Sequence, residues 1–192
     1  MTTSSPRQPA FRARFANEFI DTVKALPSWN AIEALLDHDT LHRVRHPQTS
    51  GWTPLTVDLA LCSAAAEVLG VDEMRALGCA HGRRSLASPL FQPVIGIGAK
   101  LLRAHPVRGL RIVAKAFGVL YRDVGVLTCV DAPVVALQWT HMPEGAARNR
   151  AWLETIAGGF QCMLEEGGVD GVIDVEPAGA RAVAFVFRFA ER

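Results

Sequence analysis

The last third of the chain has the clearest alternation of apolar and polar positions. Val135, Leu137 and Trp139 alternate with Ala136, Gln138 and Thr140, and Val183, Phe185, Phe187 and Phe189 alternate with Ala182, Ala184, Val186 and Arg188. Side chains that change face at every residue mark strands with one covered face. Val126 to Asp131 and Val134 to Met142 therefore predict one hairpin, turned by Asp131-Ala132-Pro133. Val172 to Glu176 and Ala182 to Phe189 predict a second, turned by Pro177-Ala178-Gly179. Between them the period changes: within Arg148 to Glu166, Trp152, Ile156, Phe160 and Leu164 recur at four-residue steps, and Gly167-Gly168 ends the run. This is an amphipathic helix, and the whole unit reads β-β-α-β-β.

The preceding residues have helical spacing instead. Phe11, Phe15, Phe19 and Val23 form one stripe that stops before Pro27; Asn30 and Glu33 stand like a capping box ahead of Ile32, Leu35 and Leu36 facing inward. Asp37 to Gly51 is a polar connection with at most a turn of helix. Thr53-Pro54 predicts the next helix start, with Leu55, Leu59, Cys62, Ala66 and Leu69 as its stripe and Gly70 as its end. Asp72 and Glu73 open another helix, whose core side takes Met74, Leu77, Ala80 and His81, with Gly78 and Gly82 weakening it or allowing close packing. Pro93 starts a segment reaching Leu102, and His105-Pro106 breaks it, because a residue before proline avoids helical geometry. Val107 to Leu120 follows, with Leu110, Val113, Phe117 and Leu120 on the buried line.

About six helices followed by four antiparallel strands predict an α+β fold, the helical half packed on the β-β-α-β-β unit. Residues 1–10 read as a flexible lead-in and 11–192 as a single domain; 192 residues suffice for one sizeable core.

Composition fits a globular chain, with 49% hydrophobic and 20% charged residues. The net charge of +1 gives no reason to expect a nucleic-acid partner. Charge distribution says more: Met74 to Arg122 holds nine Lys or Arg and no acid, leaving 11 basic against 19 acidic residues elsewhere. Such a stretch either faces an anionic partner or balances the acidic remainder, and the second reading is the expectation. Arg108, Arg111 and Lys115 share one face of a helix and mark the candidate partner surface. Cys62, Cys79, Cys129 and Cys162 lie far apart within apolar segments, so reduced thiols and a cytoplasmic location are expected. The best apolar run, Pro89 to Leu102, is too short to span a bilayer and is broken by Gly96 and Gly98.

Catalytic signatures are missing. Gly96-Ile97-Gly98 has no strand before it and no third glycine in place, which excludes a phosphate loop. His38, His42 and His46 would share a helical face, but chance surface histidines explain them better than a metal site. No G-x-S-x-G occurs, and the carboxylates fall on faces predicted to be exposed, so neither a catalytic residue nor a metal or cofactor is assigned.

The run Leu101 to Arg122, the Trp139 strand, and Phe160 to Gly168 before a last hairpin resemble an uncharacterised myxobacterial paralogous family. That family is similar to the superfamily of heme-NO-binding domains, four-vinyl-reductase-type domains and TRAPP trafficking subunits. The resemblance implies a non-enzymatic sensing or protein-interaction module, dimeric or bound to a protein partner, with an apolar small-molecule pocket between helices and sheet. Phe91, Leu101, His105, Leu110, Phe117 and Tyr121 are the candidate pocket residues. A pocket enzyme or carrier for a hydrophobic or tetrapyrrole-like ligand is the alternative, and heme-based gas sensing is a third. The heme-binding branch has a histidine iron ligand on a helix before the sheet and a Tyr-x-Ser-x-Arg motif. Here His105 lies in that region but is followed by Pro106, and Tyr121 is followed by Arg-Asp-Val. The TRAPP branch can carry an acyl chain on a cysteine, and neither Cys62 nor Cys79 is matched to that position.

Overall fold

The computed structural model describes residues 8–87 and 101–190. Within them the order is β1 (Ala10–Arg12), α1 (Ala13–Lys24), α2 (Trp29–Glu33), α3 (His38–Arg45), β2 (Trp52–Pro54), α4 (Leu55–Leu69) and α5 (Glu73–Ala87). Then come α6 (Pro106–Leu120), β3 (Tyr121–Arg122), β4 (Val126–Val130), β5 (Ala136–Thr140), α7 (Glu144–Arg148), α8 (Arg150–Glu166), β6 (Gly171–Gly179) and β7 (Ala182–Phe189). This is the expected α+β architecture. Most of the helix expected from Pro93 lies outside the described residues, although 101–104 are helical.

Both predicted hairpins form, and they join into one antiparallel sheet of order β4-β5-β7-β6. Its covered face presents Leu137, Trp139, Ile173, Val183, Phe185 and Phe187, all buried. Helix α8 lies on that face: the Trp152 and Trp139 ring centroids are 5.3 Å apart, and Phe160 meets Phe185 edge-on at 5.1 Å.

A second sheet, of order β2-β1-β3, was not expected from the pattern. Ala10 pairs with Pro54 and Arg122, and Phe11 with Thr53 and Tyr121. Ala10 is thus buried in a strand instead of closing a lead-in, and Phe11 precedes α1 instead of opening it. Thr53 is likewise a strand residue, and α4 starts one residue after Pro54. These strands of two or three residues are held by partners far away in sequence, so local periodicity carries little trace of them.

Smaller departures have local causes. Helix α2 begins after Ser28, ahead of the expected Asn30 cap, and Leu35 lies exposed beyond its end. Residues 38–45 form a true helix because the Asp37 carboxylate accepts the Thr40 N–H at 2.8 Å, capping its N-terminus. Ala80 faces solvent, since Gly78 takes the contact position on α5. Gly70 closes α4 at φ 92°, a conformation that costs glycine little.

The most extensive helix–helix contact is α5 on α8, and glycines set its distance. A methyl group on Gly78 would overlap the Thr155 carbonyl oxygen, and one on Gly158 would overlap that of Arg75. Glu154 is buried beside this contact and pairs with Arg75 (2.6 Å) and with Arg150 one turn earlier. The two arginines in turn donate to the Ile173 and Val175 carbonyls of β6, at 2.7 and 3.0 Å, so the carboxylate ties α5, α8 and the sheet together.

Pairing of this kind also accounts for much of the acid-free stretch. Arg83 reaches Glu165, Arg84 reaches Asp21, Arg111 reaches Asp131 and Arg122 reaches Asp123. The charge-balancing expectation describes these residues well.

A candidate ligand cavity between the helices and the sheets

Where α1, α5, α6 and α8 converge on β3, the side chains leave a cavity of about 570 Å³. Its wall is mostly apolar, with Phe11 and Tyr121 from the small sheet, Phe15 and Phe19 from α1, Phe117 from α6, and Trp152 and Phe160 from α8. Gly159 opens onto it, because a Cβ there would meet no atom within 4 Å.

Tyr121, the single tyrosine, is the hub. Its ring stacks on Phe117 at 5.4 Å and on Phe11 at 6.2 Å, and it meets Trp139 (5.4 Å) and Trp152 (6.2 Å) edge-on. It holds this place because β3 pairs it with Phe11, whereas a continuation of α6 would have swung it away.

Polar side chains interrupt the apolar wall, Arg12, Arg14 and Ser85 among them, and three of the lining groups, Asp58, Tyr121 and His81, are titratable and buried. Asp58, in the first turn of α4, is 6% exposed, and its Oδ2 accepts the Trp152 Nε1–H at 2.7 Å. Burial pushes its carboxyl up to about 7, although the indole hydrogen bond pulls the other way. Burial, followed by the Asp58 and Cys62 charges, raises the Tyr121 hydroxyl well above the ordinary phenol range, so it stays protonated.

His81 is on α5 with its ring against Phe15 (4.5 Å) and Phe19 (5.2 Å). Its Nε2 is 3.3 Å from Ser85 Oγ, and that hydroxyl donates to Glu18 at 2.8 Å. Burial brings the imidazole down to about 4, against a hydrogen bond to the Phe15 backbone and helped by Arg84.

Asp58 and His81 oppose each other in pH dependence. The folded chain holds the Asp58 proton from 3.8 up to about 7, so this contribution to stability falls as pH rises across that window. The His81 value is lowered from 6.5 to about 4, so its contribution grows with pH over that interval. By the linkage of pKa to free energy the Asp58 shift is worth roughly 4 kcal/mol and the His81 shift roughly 3 kcal/mol. Asp58→Asn should therefore make stability climb from pH 4 to 6.5, and His81→Gln should make it decline from pH 4 to 7, as read from urea midpoints across pH.

Of the residues singled out from sequence, Phe117 and Tyr121 line this cavity. Leu110 is fully buried in the core instead, and His105 is exposed at the N-cap of α6. Leu101 is half-buried outside the lining, and Phe91 lies outside the described residues. Arg108, Arg111 and Lys115 are exposed on α6 as expected, with Arg111 held by Asp131. His42 and His46 stand 4.8 Å apart in a separate polar recess, and among the described residues no three metal-ligating side chains converge.

Asp58 and Glu154 correct the expectation that the carboxylates lie on exposed faces. Asp58 had a legible signal: it sits three residues after Leu55 and four before Cys62, on the stripe that α4 buries.

No protein-family model and no curated protein matches the sequence. Solved structures do share the fold. An H-NOX protein from S. oneidensis in the Fe(II)NO ligation state superposes with a TM-score of 0.64 at 14% identity, over 94% of this chain and 99% of that one. An Fe(II) unliganded H-NOX protein from K. algicida gives 0.60 at 12% identity, over 94% and 97%. An oxygen-binding H-NOX domain related to soluble guanylate cyclases gives 0.58 at 12% identity, over 93% and 95%. This chain has the fold of the heme-NO-binding (H-NOX) domains.

Proposed function

We propose that the chain is a non-catalytic sensing module whose ligand, a small and largely apolar molecule, occupies the cavity beside Tyr121. One observation carries this reading: a preformed, mostly apolar cavity of about 570 Å³ whose wall is interrupted by polar side chains. Most small-molecule sites have that character. The fold supports the same reading, since the structures that superpose along nearly the whole chain are described as H-NOX domains. Kinship with the myxobacterial family and self-association belong to the proposal and rest on the sequence resemblance; a cytoplasmic location belongs to it too and rests on the four separated cysteines. No helix among the described residues is long and apolar enough to cross a membrane.

Heme-based gas sensing is the second reading, favoured by those neighbours, which include Fe(II)NO and oxygen complexes. The described lining does not fit a histidine-ligated iron. His81 is its single imidazole, with Nε2 turned to Ser85 and a hydrogen bond to the Phe15 backbone; His105 lies elsewhere. Tyr121 would have to ionise to serve as a ligand, and its surroundings hold the proton on.

Native mass spectrometry and an absorption spectrum of the protein as isolated test both readings together. The first predicts a bound small molecule and no Soret band, even after hemin is added. A Soret band that His81→Ala abolishes would overturn it in favour of the second.

A further inference from the structure

We infer that the cavity selects lipophilic amines, a protonated nitrogen pairing with the Asp58 carboxylate among the surrounding aromatic rings. This rests on the cavity being the ligand site and names what that site prefers.

Asp58 is the starting point. It lies on an apolar wall, its Oδ2 takes the Trp152 indole N–H, and its Oδ1 accepts from no group among the described residues. Among the described residues no arginine, lysine or histidine pairs with it, although Arg12 and Arg14 line the same cavity. A buried carboxylate without a counter-ion is costly, and an incoming cation removes that cost. An ammonium group supplies both the charge and the N–H donors that Oδ1 lacks. An anionic ligand would be repelled at this end of the cavity, and above neutral pH the carboxylate has no proton to offer a carbonyl.

Among the buried groups around Asp58 it is the one that carries a charge near neutral pH, and Arg12 from β1 and Arg14 from α1 line the same cavity on exposed positions. Tyr121 from β3 and Cys62 from α4 both titrate above their ordinary range, and His81 from α5 stays neutral above about 4. When the ammonium form binds to protonated Asp58, the carboxyl proton leaves to solvent and the N–H bonds form to the carboxylate. Binding therefore strengthens as pH rises through about 7.

The test uses the full chain and two probes of equal shape, 4-phenylbutylamine and 4-phenylbutan-1-ol, titrated calorimetrically at pH 8 and pH 5.5. The amine should bind at least about tenfold tighter than the alcohol at pH 8, an energy within reach of a desolvated cation site. The preference should shrink at pH 5.5, and Asp58→Asn should abolish it while keeping the alcohol bound. Equal affinity of wild type for both probes at pH 8, or an amine preference that survives Asp58→Asn, overturns this inference and leaves the cavity as a ligand site. Failure of both probes to bind at either pH overturns the inference and the reading beneath it. The wild-type pH comparison is decisive without any variant.

Discussion

Trp152→Ala should lower the unfolding free energy by about 3–5 kcal/mol, the usual cost of removing a fully buried indole. Trp152 touches Trp139 on the sheet and Tyr121 at the hub, so its loss joins an existing cavity to a new void. It also strips Asp58 of its indole donor, a further cost because an unsatisfied buried carboxyl keeps its full desolvation penalty. Against a total stability of roughly 5–15 kcal/mol, that is a large share, and the variant should melt well below the wild type. Trp152→Phe separates the two effects. It keeps most of the packing, and the Asp58 titration should move above its value of about 7, since the indole bond is what lowers it. Thermal denaturation checks the first outcome; carboxyl infrared absorption followed across pH checks the second. Unchanged melting of Trp152→Ala would mean that α8 is misplaced on the sheet.

Two adjacent glycines should respond in opposite directions. A methyl at Gly158 would strike the Arg75 carbonyl, and backbone cannot swing aside as a side-chain end can. Gly158→Ala should therefore cost about 3 kcal/mol by forcing α5 and α8 apart, at the upper end of ordinary overpacking. Gly159 faces the cavity with no atom within 4 Å of a new Cβ. Gly159→Ala should stabilise by roughly 0.5–1 kcal/mol, the gain of replacing glycine within a helix. Paired urea melts of the two variants read the difference. A destabilised Gly159→Ala would show that the cavity is filled by protein.

The alternation along Val135–Thr140 and Ala182–Phe189 and the four-residue steps of α8 located the larger sheet and its covering helix, because both patterns are short-range consequences of one buried face. The close approach of α5 to α8 was readable as glycine pairs, though not which residues they met. The cavity was less legible. Its floor depends on Phe11 and Tyr121 pairing across more than a hundred residues, and three-residue strands have too few positions to show a period. Phe117 and Tyr121 were found through the resemblance, which implies a pocket between helices and sheet, and they lie where the Pro106–Leu120 helix passes into β3. Asp58 was overlooked because a carboxylate in a first helical turn ordinarily reads as a solvated partner of the helix dipole. Its place on the Leu55–Cys62 stripe was the stronger signal, since that stripe decides which side of α4 is buried.

The central claim is that the space beside Tyr121 takes a ligand. Gly159 lines that space, and a Cβ there meets no atom within 4 Å, so Gly159→Leu starts a side chain from an open position on the cavity wall. Calorimetric titration of 4-phenylbutan-1-ol into the wild type and this variant, both verified as folded, reads occupancy directly. Binding by the wild type that weakens about tenfold or more in Gly159→Leu is the predicted result, equivalent to about 1.4 kcal/mol. Equal binding by the two proteins would contradict the account.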